Sequence, residues 1–265
     1  MKSYETPSQA YLGTLEDVYF NFDIKSSPRG QPIREKLDYT FKVLCPDSLP
    51  LKTLDSSRNQ VIENYSIKEN ELYESCSNLA EDFGKASKFW LSLANPDGTI
   101  NSAYGHLIWA NKSHGSDFEQ VPQEIIKSTS KEGALYITKP IRRTPWEWCI
   151  ESLKRDKDTR QAILRFSLPD HQWFGNKDQT CTMHGLFLIR EDRLNLSIVM
   201  RSNDLVKGLV YDLPWFCSLI PKMVEDLRDA YPTLKMGTYT HTVHSIHIYE
   251  KDTQTVLKML GKNYA

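Results

Sequence analysis

Residues 181–189 and 194–200 are two strand-like apolar runs, separated only by the polar turn Arg190-Glu191-Asp192-Arg193. A connection that short forces the runs to pair antiparallel, and apolar residues recurring along paired strands demand burial of one face. The chain must therefore build its core on a sheet. Further strand-like runs stand at residues 39–44, 162–166 and 238–249.

Helical patterns lie between these runs. Tyr11, Leu12, Leu15, Val18, Tyr19 and Phe20 recur at near-helical spacing within residues 1–24, which predicts an amphipathic first helix. The segment Ser26-Ser27-Pro28-Arg29-Gly30-Gln31-Pro32 reads as a turn-rich loop holding a single Arg. Residues 60–90 are helical and polar-rich, and Asn95-Pro96-Asp97-Gly98 ends the pattern. A helix is predicted over residues 146–157. Residues 209–228, interrupted by Pro214 and Pro221, predict a buried helix followed by an amphipathic one. Residues 110–145 are the least regular part and predict a long excursion or insertion. No repeat, low-complexity tract or long linker divides the chain, so residues 1–265 are expected to form a single catalytic domain.

Composition narrows the partners. With 33 Lys+Arg against 34 Asp+Glu, the net charge of -1 supplies no basic field for a nucleic-acid backbone. No apolar run approaches the roughly 20 residues that cross a bilayer, and the start lacks the basic-then-apolar order of a signal peptide. A cytoplasmic enzyme is expected, with no nucleic acid and no membrane as partner. Cys45, Cys76, Cys149, Cys181 and Cys217 show no metal-type or repeated spacing, which argues for free thiols and leaves the question of whether one is a nucleophile. His241, His244 and His247 invite a metal reading, but side chains alternate along a strand, so three at this spacing cannot converge on one ion. No metal is expected.

The segment Met200-Arg201-Ser202-Asn203-Asp204 and onward to Gly208 and Asp212 offers a guanidinium fork and a hydroxyl to an anion at a strand end. It resembles the R-S-x-D-x-x-x-G-x-x-x-N segment of the thymidylate synthase family, and Cys181 lies 20 residues upstream, where that family's nucleophile stands. Phe89-Trp90 through Gly98 to Tyr104-Gly105 resembles the family's W…G-x-x-x-x-Y-G stretch. Asp158-Thr159-Arg160-Gln161-Ala162-Ile163 resembles D-S-R-R-x-I, and Ser245-Ile246-His247-Ile248-Tyr249 resembles D-x-H-x-Y. Together they cover most of the chain from Pro28 to Tyr249. The resemblance implies an α/β fold with a large mixed sheet flanked by helices, and a homodimer whose sheets stack back to back.

Site roles follow from the same resemblance. Cys181 would add to C6 of a pyrimidine and turn C5 into a carbon nucleophile, helped by Arg201 as the nearby cation. Arg201, Ser202 and Arg29 would hold a 5′-phosphate, and Arg160 would reach across from the other subunit. His247 and Tyr249 would bind the sugar hydroxyl. Asp204 would bind the pterin of 5,10-methylenetetrahydrofolate, with Trp90 packed near it or the base. Glu69 would order water and relay protons, with Glu71 as the alternative. Gln161 departs from the family's second Arg, a gap that Lys139, Arg142 or Arg143 would have to fill.

The departure at Asp212 bears on the base, because thymidylate synthases have Asn there. An amide suits the O4 and N3–H of uracil; a carboxyl group suits the amino group and bare N3 of cytosine. An Asp here, together with Met200-Arg201-Ser202-Asn203-Asp204 and Cys181-Thr182, is similar to the phage and antibiotic-pathway (deoxy)cytidylate 5-hydroxymethylases. The function implied is folate-dependent C5-hydroxymethylation of CMP or dCMP. The 16 residues after Tyr249 are fewer than the family's closing tail, which also favours water over hydride. A methylating enzyme acting on a uracil nucleotide and a non-catalytic nucleotide-binding descendant are the alternatives.

Overall fold

The computed structural model describes residues 1–112, 114–121 and 137–262, with the backbone alone over 114–121 and 137–142. In chain order the elements are β1 (Lys2–Tyr4), α1 (Pro7–Phe20), β2 (Ile24–Ser26), β3 (Ile33–Val43), α2 (Ser56–Glu74), α3 (Ala80–Ala86), β4 (His114–Val121) and β5 (Ile137–Arg143). There follow α4 (Pro145–Arg155), β6 (Ile163–Arg165), β7 (Thr182–Arg190), β8 (Arg193–Met200), β9 (Asn203–Asp204), α5 (Val210–Asp226), β10 (Lys235–Tyr249) and α6 (Thr253–Met259). A mixed sheet runs in the order β1-β3-β10-β8-β7-β6, with β2 added beside β3 and β9 beside β10, and helices flank it. Among the described residues, the strands β4 and β5 pair only with each other. The rest of the excursion expected over residues 110–145 lies outside the described residues.

Local chemistry sets these boundaries. Glu191 and Asp192 adopt positive φ, as a tight hairpin turn requires, and fix β7 against β8. Thr6 and Thr144 cap α1 and α4 through capping boxes with Gln9 and Glu147, each with Pro in the first turn. Asp55 caps α2 by accepting from the backbone of Ser57 and Arg58. The helical stretch expected over residues 60–90 breaks at Cys76, whose φ is 57°, and resumes as α3 and a short 3-10 turn.

One expectation is corrected. Residues 209–228 do not form two helices: α5 runs unbroken through Pro214 and Pro221. Each proline removes an N–H donor, at a cost of about 3 kcal/mol in an isolated helix. However, Leu213, Trp215, Phe216, Cys217, Leu219, Ile220 and Met223 are all buried, so packing on both sides outweighs propensity. The core lies between α5 and α1 on one side and the β3, β10, β8 and β7 strands on the other. No helix among the described residues is long and apolar enough to cross a membrane.

Candidate active site

The start of β7 and the end of β8 lie side by side, because the hairpin that pairs the two strands also brings residues 181 and 201 together. The backbone N–H of Arg201 donates to the Cys181 carbonyl at 2.9 Å. Its guanidinium folds back over the same strand end, donating to the carbonyls of Thr180 (3.1 Å) and Gln179 (2.6 Å) and pointing Nη2 at the Cys181 Sγ, 3.5 Å away. Burial pushes the Cys181 thiol up; Arg201 and Arg29 pull it down, while Asp212 and Asp178 push it up. Thiol, Arg201, Arg29 and Asp212 therefore share one electrostatic environment. Tyr104 feels both Cys181 and Asp212, and its hydroxyl accepts from Thr182 Oγ1 at 2.9 Å.

Arg29 is exposed at the tip of a 3-10 turn with φ of 52°, a strained conformation for a side chain of that size. Ser202 follows Arg201 and is half-buried. Next comes β9, which pairs parallel with Ile246 and His247 of β10. Asp204 Oδ1 caps the turn ahead of α5 by accepting from the backbone of Val206 (2.8 Å) and Lys207 (3.3 Å). Its carboxyl is pushed up by burial, an effect opposed by those two donors and by His247.

Asp212 stands in the first turn of α5 and its carboxyl is pushed well above the usual range, first by desolvation and then by the charge of Glu69. Asn203 opposes that shift by donating from Nδ2 to Asp212 Oδ2 at 3.2 Å. Glu69, on α2, is only 7% exposed, and burial raises its carboxyl to about 7. The Tyr65 hydroxyl donates to Glu69 Oε1 at 2.8 Å and accepts from Trp90 Nε1 at 2.9 Å. Glu71 is exposed, so of the two glutamates it is Glu69 that α2 turns inward. Gly105 is required by this packing, because a methyl there would overlap the backbone carbonyl of Tyr73.

The histidines of β10 separate. His241 is fully buried beside the Tyr239 hydroxyl and stacked on Phe41; His244 is exposed with its Nδ1 2.7 Å from Asp38. His247 is buried, edge-on to Tyr249 with ring centroids 5.3 Å apart. Among the described residues no cluster of His, Cys, Asp and Glu forms a metal-type group.

Arg160 takes no part in the hydrogen bonds that join Arg201 to the Cys181 strand end. It is exposed between α4 and β6 and makes no hydrogen bond or ion pair among the described residues. Gln161 is also exposed, and its carbonyl accepts from Trp148 Nε1 at 2.8 Å. Arg143 is buried and paired with Glu151 at 2.7 Å. The side chains of Lys139 and Arg142 lie outside the described residues.

Sequence reasoning missed four contributors: Tyr65, Arg58, Tyr211 and Asn203. Tyr65 stands four residues before Glu69 on α2, a helical spacing that signals the pair. Arg58 donates to the Val206 carbonyl (2.9 Å) and the Tyr211 hydroxyl (3.3 Å), tying α2 to the start of α5. The Tyr211 ring packs on Tyr65 at 4.7 Å. A thiol under a guanidinium, one acid poised near neutrality and a second pushed toward its neutral form can together add to an electrophilic ring and exchange protons with it.

Comparison with known proteins places the chain in a family. The thymidylate synthase family model matches residues 9–265. The deoxycytidylate 5-hydroxymethyltransferase of Enterobacteria phage T6 is 29% identical over 196 residues, covering 71% of this chain and 68% of that protein. The deoxyuridylate hydroxymethyltransferase of Bacillus phage SP01 is 31% identical over 272 residues, covering 97% of this chain and 62% of its own length. The thymidylate synthase of Mycoplasma genitalium is 24% identical over 115 residues, 43% of this chain and 37% of the enzyme.

Proposed function

The chain belongs to the thymidylate synthase family of one-carbon transferases acting on pyrimidine nucleotides, and from that premise we propose that it hydroxymethylates C5 of a cytosine nucleotide 5′-monophosphate, CMP or dCMP. The observation that carries the reading is Asp212, whose carboxyl is pushed well above its usual range, first by desolvation and then by Glu69, and whose charge acts on the Cys181 thiol. A neutral carboxyl donates one proton and accepts another, which is what the N3 and amino group of cytosine call for. An enzyme of two phages carrying names that include hydroxymethyltransferase supports the product.

Each residue then has a task. Arg201, with Ser202 and Arg29, takes the 5′-phosphate; His247 and Tyr249 take the sugar hydroxyl. Cys181 gives up its proton and its sulfur adds to C6, while Asp212 delivers a proton toward N3 and so neutralises charge driven into the ring. The one-carbon unit is supplied by 5,10-methylenetetrahydrofolate, whose ring would lie between Asp204 and the aromatic surface of Trp90. That surface fits a flat heterocycle: Trp90 is half-buried, and Phe89 beside it is 61% exposed. Glu69, able to hold or release a proton near neutral pH, orients the water that completes a hydroxymethyl group at C5, and sulfur then leaves C6. Arg160, exposed and without a hydrogen bond or ion pair among the described residues, serves a partner's phosphate in a homodimer.

The phage SP01 relative, whose name specifies deoxyuridylate, supports a second reading in which the base is uracil. Competition separates the two. The purified chain, given equal amounts of CMP, dCMP, UMP and dUMP tritiated at C5 together with the folate, is expected to release tritium from a cytosine nucleotide first. Preferential release from UMP or dUMP would establish the uracil reading instead.

A further inference from the structure

We infer that Asn203 sets the direction in which Asp212 reads the base, by fixing which carboxyl oxygen accepts and which carries the proton. The inference rests on the cytosine reading above and deepens it. Asn203 is 2% exposed, and its side-chain amide is enclosed by three groups. Nδ2 lies 2.9 Å from the Met200 Sδ and 3.2 Å from Asp212 Oδ2. Oδ1 has no hydrogen-bond partner among the described residues and faces Gly208, where any Cβ would collide with it.

The two ends of an amide differ chemically, and Met200 decides which end faces the acid. A thioether sulfur only accepts, so it takes the N–H end. Turning the amide over would set Oδ1 against sulfur, two acceptors in contact, and point both N–H groups toward Gly208, which offers them no acceptor among the described residues. The nitrogen therefore faces Asp212, and Oδ2 is the oxygen that accepts.

In a neutral carboxyl group the oxygen receiving an N–H bond is the carbonyl oxygen, so the proton resides on Oδ1, which has no partner among the described residues. Asp212 then presents a donor at Oδ1 and a remaining acceptor lone pair at Oδ2. Cytosine offers the matching pair, a bare N3 and an amino N–H. Uracil offers N3–H and O4, and in the pose that sets Oδ1 opposite N3 it would need the proton moved to Oδ2, the oxygen that Asn203 already supplies. Asn203 is thus a positioning residue for specificity, acting through Asp212 without touching the base, and Gly208 leaves it the room.

The test is the ratio of kcat/KM for cytosine over uracil nucleotides, read by C5 tritium release for the wild type, Asn203→Ala and Asn203→Leu. Leucine keeps the volume and removes the donor, so it serves where alanine fails to fold. The expected result is a ratio lowered about tenfold or more, chiefly through loss on the cytosine side. A parallel fall on all substrates, or an unchanged ratio, overturns the role of Asn203 while leaving a cytosine-using wild type intact. A wild type confined to uracil nucleotides overturns both this inference and the function it rests on.

Discussion

On the α2 side of the site, Glu69 receives the Tyr65 hydroxyl, itself held by Trp90, and its carboxyl comes to about 7. On the α5 side, Asp212 is half-buried, receives one amide and faces the charge of Glu69, and its carboxyl is pushed well above the usual range. Both shifts begin with desolvation; the number of donors and the neighbouring charge separate them. The first acid is free to gain and lose a proton during turnover. The second, pushed toward its neutral form, suits reading the edge of the base while sharing a proton with N3. Two carboxyl groups in different surroundings can thus take different tasks without any change of residue class.

Removing the sulfur breaks the comparison at its root, because neither wall acts on an unactivated ring. Cys181→Ser is expected to lower C5 tritium release by at least ~10³-fold on every nucleotide; retained exchange would detach both acids from catalysis. Asp212→Asn acts on the α5 wall alone. It is expected to move the cytosine-to-uracil ratio of kcat/KM by ~10²-fold or more toward uracil, since an amide pairs with O4 and N3–H. Unchanged preference would take base reading away from that wall.

Glu69→Gln acts on the α2 wall. Turnover is expected to fall about 10²-fold with base preference unchanged, and the limb of the pH–rate profile near 7 should vanish. The same variant has a sign in stability. The folded state holds the Glu69 proton up to about 7, whereas the unfolded chain releases it near 4.5, so this group's contribution declines as pH rises between those values. Glu69→Gln should flatten that decline and be more stable than the wild type above pH 7, by up to roughly 3 kcal/mol, read from denaturant midpoints. Tyr65→Phe has the smallest effect. Loss of its hydroxyl removes a donor that lowers the Glu69 carboxyl, so the limb should move to higher pH with a few-fold loss of rate.

Much of this was legible from residue order. The hairpin at Glu191 and Asp192 follows from turn chemistry, and the spacing from Cys181 to Arg201 is the length of that hairpin. Motifs that rest on one chain segment were therefore readable. The continuity of α5 was not, because Pro214 and Pro221 carry a strong local signal that the packing of its buried residues, such as Trp215, Phe216 and Ile220, overrides. Contacts between segments distant in sequence were equally hidden. Arg58 meets Tyr211 across 153 positions, and Trp90 meets Tyr65 across 25. Asn203 lay inside a recognised motif, yet its partner Met200 is a packing residue with no sequence signature for accepting an amide.

The most direct test is the product made from the cytosine nucleotide that turns over fastest. After reaction with 5,10-methylenetetrahydrofolate, mass spectrometry should find C5 carrying a hydroxymethyl group, with tetrahydrofolate formed in equal amount. A methyl group at C5 with stoichiometric dihydrofolate would contradict the account.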